Sequence, residues 1–176
     1  RNVMRQAAAA PACTQVVRID RLLEQLTKAY TSLEQTMHSL NAYLETKRAH
    51  FSRFFFLSND ELLEILAEAR RPEAVQPHLR KCFEGINRLE FQQPSGDITA
   101  MVSAEGERVE LVTVVNPSNT ERAVEKWLLQ VEDSMRATMK SIIEAALADY
   151  PTRPRVEWVT SWPGQVVLAG NGTYWT

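Results

Sequence analysis

Apolar residues recur every three or four positions from Arg18 onward. Ile19, Leu22, Leu26, Ala29, Leu33, Met37, Leu40 and Leu44 fall on one stripe of an α-helix, with Arg21, Glu24, Lys28, Glu34 and Glu45 between them. The spacing predicts a helix over about 18–50, roughly 45 Å long at 1.5 Å per residue. Such a stripe needs a partner in a bundle or coiled coil. Ahead of it, residues 1–17 form an Ala-rich lead-in interrupted by Pro11.

The helical period breaks at Phe51-Ser52-Arg53-Phe54-Phe55-Phe56-Leu57. Read as an extended stretch, its side chains alternate. Most of Phe51, Phe54, Phe55 and Phe56 then belong to the core, with one or two left outward for a partner. Ser58 followed by Glu61 has the spacing of a capping box and opens a short helix over 60–70, with Arg70 and Arg71 at its C-terminal dipole and Pro72 as its stop. Pro72 also suits the first turn of a further helix over 72–88, carrying Val75, Leu79, Cys82, Phe83 and Ile86.

Beyond the turn signal Gln93-Pro94-Ser95-Gly96-Asp97 the period becomes two. Ile98 to Ser103 and Arg108 to Val115 read as a β-hairpin over 98–115 with Ala104-Glu105-Gly106-Glu107 at its tip, Gly106 taking the left-handed position. Ser118 with Glu121 reads as a second capping box, opening a helix over 119–149 with Val124, Trp127, Val131, Met135, Thr138, Ile142 and Ala146 on its inward stripe. Glu132–Arg136 and Lys140–Glu144 are i,i+4 pairs on that helix. Tyr150 to Pro154 breaks it, Trp158 and Trp162 follow, and a last helix is expected over 163–176. The fold class expected is mostly α: an elongated helical bundle of long amphipathic helices with one inserted β-hairpin.

Composition agrees with a globular chain. The 176 residues are 44% hydrophobic and 24% charged, with a formal net charge of −2. That charge and a pI near 6.0 give no general attraction to nucleic acid, and no apolar run approaches the roughly 20 residues of a membrane span. Cys13 and Cys82 are too few and too far apart for a disulfide framework. The chain opens on Arg1 and ends on Tyr174-Trp175-Thr176; two aromatics in a tail suggest a piece of a longer polypeptide.

Candidate chemistry is sparse. No Gly-x-x-x-x-Gly-Lys-Ser/Thr or Gly-x-Gly-x-x-Gly occurs, so no nucleotide site is expected within the chain. His78 and Cys82 stand at i,i+4, but no third and fourth metal ligand appears at recognisable spacing, so Cys82 reads as core and His78 as surface or rim. No nucleophile motif such as Gly-x-Ser-x-Gly is present. Lys47, Arg48 and Arg53, interleaved with phenylalanine, resemble a single-strand-binding pattern, but no stretch is strongly positive and the cluster reads as a helix C-terminus complementing its dipole. Catalytic, cofactor and metal residues are all expected to be absent.

Longer blocks carry a family resemblance. Phe51-Ser-Arg-Phe-Phe-Phe-Leu-Ser-Asn-Asp-Glu-Leu-Leu-Glu-Ile-Leu resembles a signature stretch of the dynein heavy chain linker. The resemblance continues through Val75-Gln-Pro-His-Leu-Arg-Lys-Cys-Phe-Glu-Gly-Ile, Ser103-Ala-Glu-Gly-Glu-Arg-Val, Val124-Glu-Lys-Trp-Leu-Leu-Gln-Val-Glu and Trp162-Pro-Gly-Gln-Val-Val-Leu, in family order over roughly 18–176. Ser52 departs from the proline usual in the family, which loosens the start of the phenylalanine run. The wording is closer to axonemal inner-arm chains than to cytoplasmic ones, and the block around Tyr150 to Gln165 resembles a single-headed inner-arm type.

The resemblance implies a non-catalytic lever: the central to ring-proximal linker (18–176), arching over a ring of AAA+ modules whose ATP cycle bends and straightens it to drive movement on microtubules. ATP and Mg would belong to the downstream ring, so the missing phosphate loop is expected. The AAA+ ring of the same chain is the partner implied, with microtubules reached only through the parent motor and dynein intermediate and light chains as further partners. No nucleic acid or membrane partner is expected. The implied location is cytoplasm and cytoskeleton, in the axoneme of a cilium or flagellum. Phe54, Phe55, Phe56, Glu105, Gly106 and Glu107 are the candidate interaction surface. The competing expectations are a generic helical adaptor and an enzyme with an unrecognised site.

Overall fold

The computed structural model describes residues 2–9, 11–69, 71–120 and 123–175. Among the described residues, eight helices and three strands follow in order: α1 (Asn2–Ala9), α2 (Cys13–Val16), α3 (Leu22–His50), α4 (Asn59–Ala67), α5 (Gln76–Cys82), β1 (Arg88–Gln92), β2 (Asp97–Val102), β3 (Arg108–Val115), α6 (Val124–Asp149), α7 (Arg155–Ser161) and α8 (Gly164–Trp175). Short 3-10 turns cover Ser52–Phe56, Pro72–Val75 and Pro117–Thr120. The chain divides into two compact units, Arg1–Thr46 and Lys47–Thr176.

The first unit holds α1, α2 and most of α3. The long helix begins at Leu22, not at residue 18, because Arg21 takes a left-handed backbone (φ +52°) that no helix tolerates. Of the predicted stripe, Leu26, Leu33 and Met37 are exposed.

The second unit is built on a small sheet, not on helices alone. Its three strands run in the order β1-β2-β3, both pairings antiparallel. Leu89 faces Met101 and Met101 faces Val109, so one register carries the apolar residues across the sheet. Strand β1 corrects the sequence expectation of a lone hairpin and of one helix over 72–88. That stretch is a 3-10 turn, then α5, which ends where Phe83 turns extended (φ −134°, ψ 111°). A two-stranded hairpin is marginal in water, and the third strand supplies the missing pairing.

Side chains from helices close both sheet edges. On β1, the Gln76 amide donates to Leu89 O (2.7 Å) and accepts from Leu89 N (3.0 Å), imitating a neighbouring strand. On β3, Thr138 Oγ1 accepts from Val112 N (2.9 Å) and Ser134 Oγ donates to Thr113 O (2.6 Å). Both hydroxyls come from α6, which packs along β3 and against α8.

The core of this unit gathers Phe51, Phe54, Leu62, Ile65, Leu79, Ile98, Trp127 and Leu128, all almost wholly buried. Every residue of the predicted α6 stripe is buried or half-buried. A satellite cluster of Ala146, Trp158 and Val166 joins α6, α7 and α8. Trp158 Nε1 donates to Ala146 O at 2.8 Å, and its ring meets Tyr150 edge-on at 5.0 Å. The short helix α7 that carries Trp158 is absent from the sequence expectation.

The two capping boxes fare differently. Ser58 Oγ accepts from Glu61 N while Glu61 Oε2 accepts from Ser58 N at 3.0 Å, closing the N-terminus of α4. Ser118 instead lies in the turn Pro117–Thr120, and α6 starts at Val124 after Ala123, with no side-chain cap. Glu121, its expected partner, lies outside the described residues, as does Arg70. Arg71 sits at the C-terminal end of α4, where its side chain pairs with Glu68, the C-cap residue. Among the described residues, no helix is long and apolar enough to cross a membrane.

Candidate interaction surfaces

The phenylalanine run is a 3-10 turn, not an extended strand, and this decides which rings are available. With three residues per turn, Phe51 and Phe54 share a face while Phe55 and Phe56 rotate off it. Phe51 and Phe54 are buried edge to face, centroids 5.0 Å apart. Phe54 is therefore core, which removes it from the expected interaction surface. Phe55 and Phe56 are 62% and 68% exposed.

The turn is held from both sides. Arg48 donates to Leu57 O (3.3 Å) and Asn59 Oδ1 (2.7 Å), with its guanidinium 5.9 Å from the Phe55 ring centre. Arg53 donates to Cys82 O (3.0 Å), lies over Phe83 (4.8 Å) and pairs with Glu132 (3.2 Å). Glu132 also takes Arg136 at 2.6 Å; burial pushes its carboxyl up, but the two guanidiniums outweigh that and hold it below the usual range. Lys47 pairs with the buried Glu125 at 2.5 Å. Within the basic cluster, Lys47 and Arg53 are thus engaged in internal ion pairs and Arg48 in hydrogen bonds to neutral oxygens, a finer role than dipole complementation.

His78 is buried, 3.6 Å from Glu64, and so is less exposed than expected. Cys82 is buried too, and desolvation pushes its thiol up to about 11, which makes it a poor nucleophile. Among the described residues, no group of three or more His, Cys, Asp or Glu side chains is placed to hold a metal ion.

The β2–β3 tip is a tight turn. Gly106 sits at φ +88°, Ser103 N donates to Glu107 O (2.9 Å), and Ser103 Oγ accepts from Glu105 N and Glu107 N (both 3.2 Å). Glu105, Gly106 and Glu107 are all exposed. Glu107 also has an internal task, since its Oε1 accepts from Gly164 N, the first residue of α8, at 2.8 Å. The phenylalanines and the tip sit on separate elements and make two patches.

Beside the tip lies a feature that sequence reasoning missed. Met101, Met135 and Met139 line an apolar groove of about 210 Å³, closed by Ile86, Val109 and Pro163, with Glu107 at its edge. Met135 and Met139 are one helical turn apart on α6, the only local signal of it. α8 is a second missed surface: it is apolar nearly all round and leaves Leu168 and Trp175 exposed.

Comparison with known proteins decides the family. The profile described as dynein heavy chain, N-terminal region 2, matches residues 1–146. The chain belongs to the dynein heavy chain family. Human dynein axonemal heavy chain 12 is 52% identical over the whole chain, and dynein axonemal heavy chain 1 of Rattus norvegicus is also 52% identical over the whole chain. Human dynein axonemal heavy chain 3 is 49% identical over 89% of it. The chain spans only 6%, 4% and 4% of these relatives. It is a dynein heavy chain N-terminal segment, and its similarity to axonemal chains carries the expected location, the cytoskeletal axoneme of a cilium or flagellum.

Proposed function

We propose that this segment is part of the linker, a non-catalytic lever that carries ATP-driven changes of an AAA+ ring in the same heavy chain into movement on microtubules. The observation that carries the reading is the exposed pair Phe55–Phe56 on a turn clamped by Arg48 and Arg53. A lever needs a stiff body and a face that docks and undocks. The ion pairs Arg53–Glu132 and Lys47–Glu125 tie that turn and the end of α3 to α6. Two large rings left outside a packed core are a surface for a partner.

ATP and Mg belong to the ring of the parent chain in this reading, and microtubules are reached only through the whole motor. Intermediate and light chains are further partners of the assembly. The location is the axoneme, as for the relatives.

The test is the parent heavy chain carrying Phe55→Ser and Phe56→Ser together. Microtubule gliding should slow while basal ATP turnover is kept, since the change touches transmission and not chemistry. Unchanged gliding, or equal loss of gliding and ATPase, would refute the docking role.

A further inference from the structure

The methionine-lined groove joins an apolar floor to carboxylates beside it. Its walls are apolar and adaptable: Met101 from β2, Met135 and Met139 from α6, Ile86, Val109 and Pro163. Unbranched thioether side chains repack around different guests at low cost. At roughly 30 Å³ per water, its volume matches several waters or one large apolar side chain.

Its rim is acidic. Glu107 lines it, Glu105 sits in the turn between lining residues Ser103 and Glu107, and Glu84 precedes lining residue Gly85. All three are exposed, and among the described residues none of the three is in an ion pair. On β3 and α6, Arg108 pairs with Glu90 and Glu110 and Arg136 with Glu132, while Lys140 lies 3.9 Å from Glu144. Glu107 also answers the N-terminus of α8 through Gly164 N, so the negative charge beside the apolar floor that is in no ion pair and caps no helix is that of Glu84 and Glu105.

We infer that this groove binds a basic segment that seats one large apolar side chain, aromatic or leucine, among Met101, Met135 and Met139, with flanking Lys or Arg on Glu84, Glu105 and Glu107. The apolar side chain supplies the affinity and the charges select the partner and its orientation. The site is separate from the Phe55–Phe56 face, so it stands or falls independently of the lever reading.

The chain has five methionines, and the two outside the groove, Met4 and Met37, lie in the other unit. With ¹³C-methyl methionine labelling, the groove and its controls are read in one NMR spectrum. The probes are acetyl-Lys-Lys-Leu-Phe-Lys-Lys-amide, the same peptide with Glu for Lys, and the same peptide with Ala-Ala at its centre. The basic peptide should shift the methyls of Met101, Met135 and Met139 saturably and leave Met4 and Met37 in place. The Ala-centred peptide should bind about ten-fold more weakly or worse, as expected for losing a buried aromatic anchor. Glu107→Gln keeps the acceptor for Gly164 N and removes the charge, so it should preserve the methyl spectrum and weaken the basic peptide about two- to five-fold. Equal binding of the acidic peptide, equal shifts at Met4 and Met37, or no shift at millimolar peptide would overturn the inference. Groove shifts that depend on protein concentration without peptide would show a second copy as occupant and overturn it too.

Discussion

Glu107 Oε1 accepts from the backbone N–H of Gly164 at 2.8 Å, so the tip of the β2–β3 hairpin caps the first turn of a helix 57 residues further on. A helix N-terminus presents unpaired N–H donors and partial positive charge, and a carboxylate answers both. The capping residue here comes from another element because Pro163, next to Gly164, has no side-chain oxygen.

Glu107→Ala should therefore destabilise the second unit by about 1 kcal/mol, the usual effect of losing a cap. Glu107→Gln should recover most of it. Urea denaturation followed by far-UV circular dichroism on the three proteins checks this; an alanine variant as stable as wild type would show that the bond contributes nothing.

Gly106→Val places a β-branched residue at φ +88° and should cost about 1–3 kcal/mol. Since the same turn carries Glu107, the damage should reach α8 instead of staying in the hairpin. Hydrogen exchange of the amides of residues 164–167 reads that spread, and protection confined to wild-type values would place the strain in the hairpin alone.

Trp127 is wholly buried on the α6 stripe, and Trp127→Ala should cost about 3–5 kcal/mol. A melting temperature within a couple of degrees of wild type would mean that the stripe does not carry the core.

A Cβ at Gly170 would stand 2.9 Å and 3.0 Å from two carbons of the Trp158 ring, which its own hydrogen bond to Ala146 O pins in place. Gly170→Ala should cost about 1–3 kcal/mol by overpacking. Gly172, in the same helix, has nothing within 4 Å, and Gly172→Ala should stabilise by about 0.5–1 kcal/mol through helix propensity. The pair of opposite signs, measured by thermal melting, separates close packing from backbone freedom.

The Lys81 ammonium and the Ser58 backbone and hydroxyl lower the Glu61 carboxyl from 4.5 to about 2. A depressed folded pKa means stability fully present above 4.5 and lost as pH falls toward 2. Glu61→Gln keeps the cap geometry without the titration, so the stability difference between wild type and variant should shrink across that window. A difference independent of pH would show that the charge plays no part.

Much of this architecture was readable in the chain because its causes are local. Ser58 and Glu61 are three residues apart, the α6 stripe repeats every three or four, and Gly106 stands in a four-residue turn; each lies within one short window of sequence. Other features have causes distant in sequence. β1 is five residues whose strand character comes from pairing with β2 and from the Gln76 amide. The phenylalanines gave no helical or strand period, and only packing of Phe51 on Phe54 selects the three-residue turn that leaves Phe55 and Phe56 outside. The groove draws on β2, β3, α6 and the start of α8, so no window of sequence contains it.

The side chains of Gln76, Ser134 and Thr138 have a consequence for how this sheet behaves among other chains. A small sheet with free borders is a template on which foreign strands polymerise. Here each border is stoppered by helix side chains, at Leu89 on one side and at Val112 and Thr113 on the other. At those positions a foreign strand finds the backbone groups already taken, which disfavours growth of the sheet by strand addition.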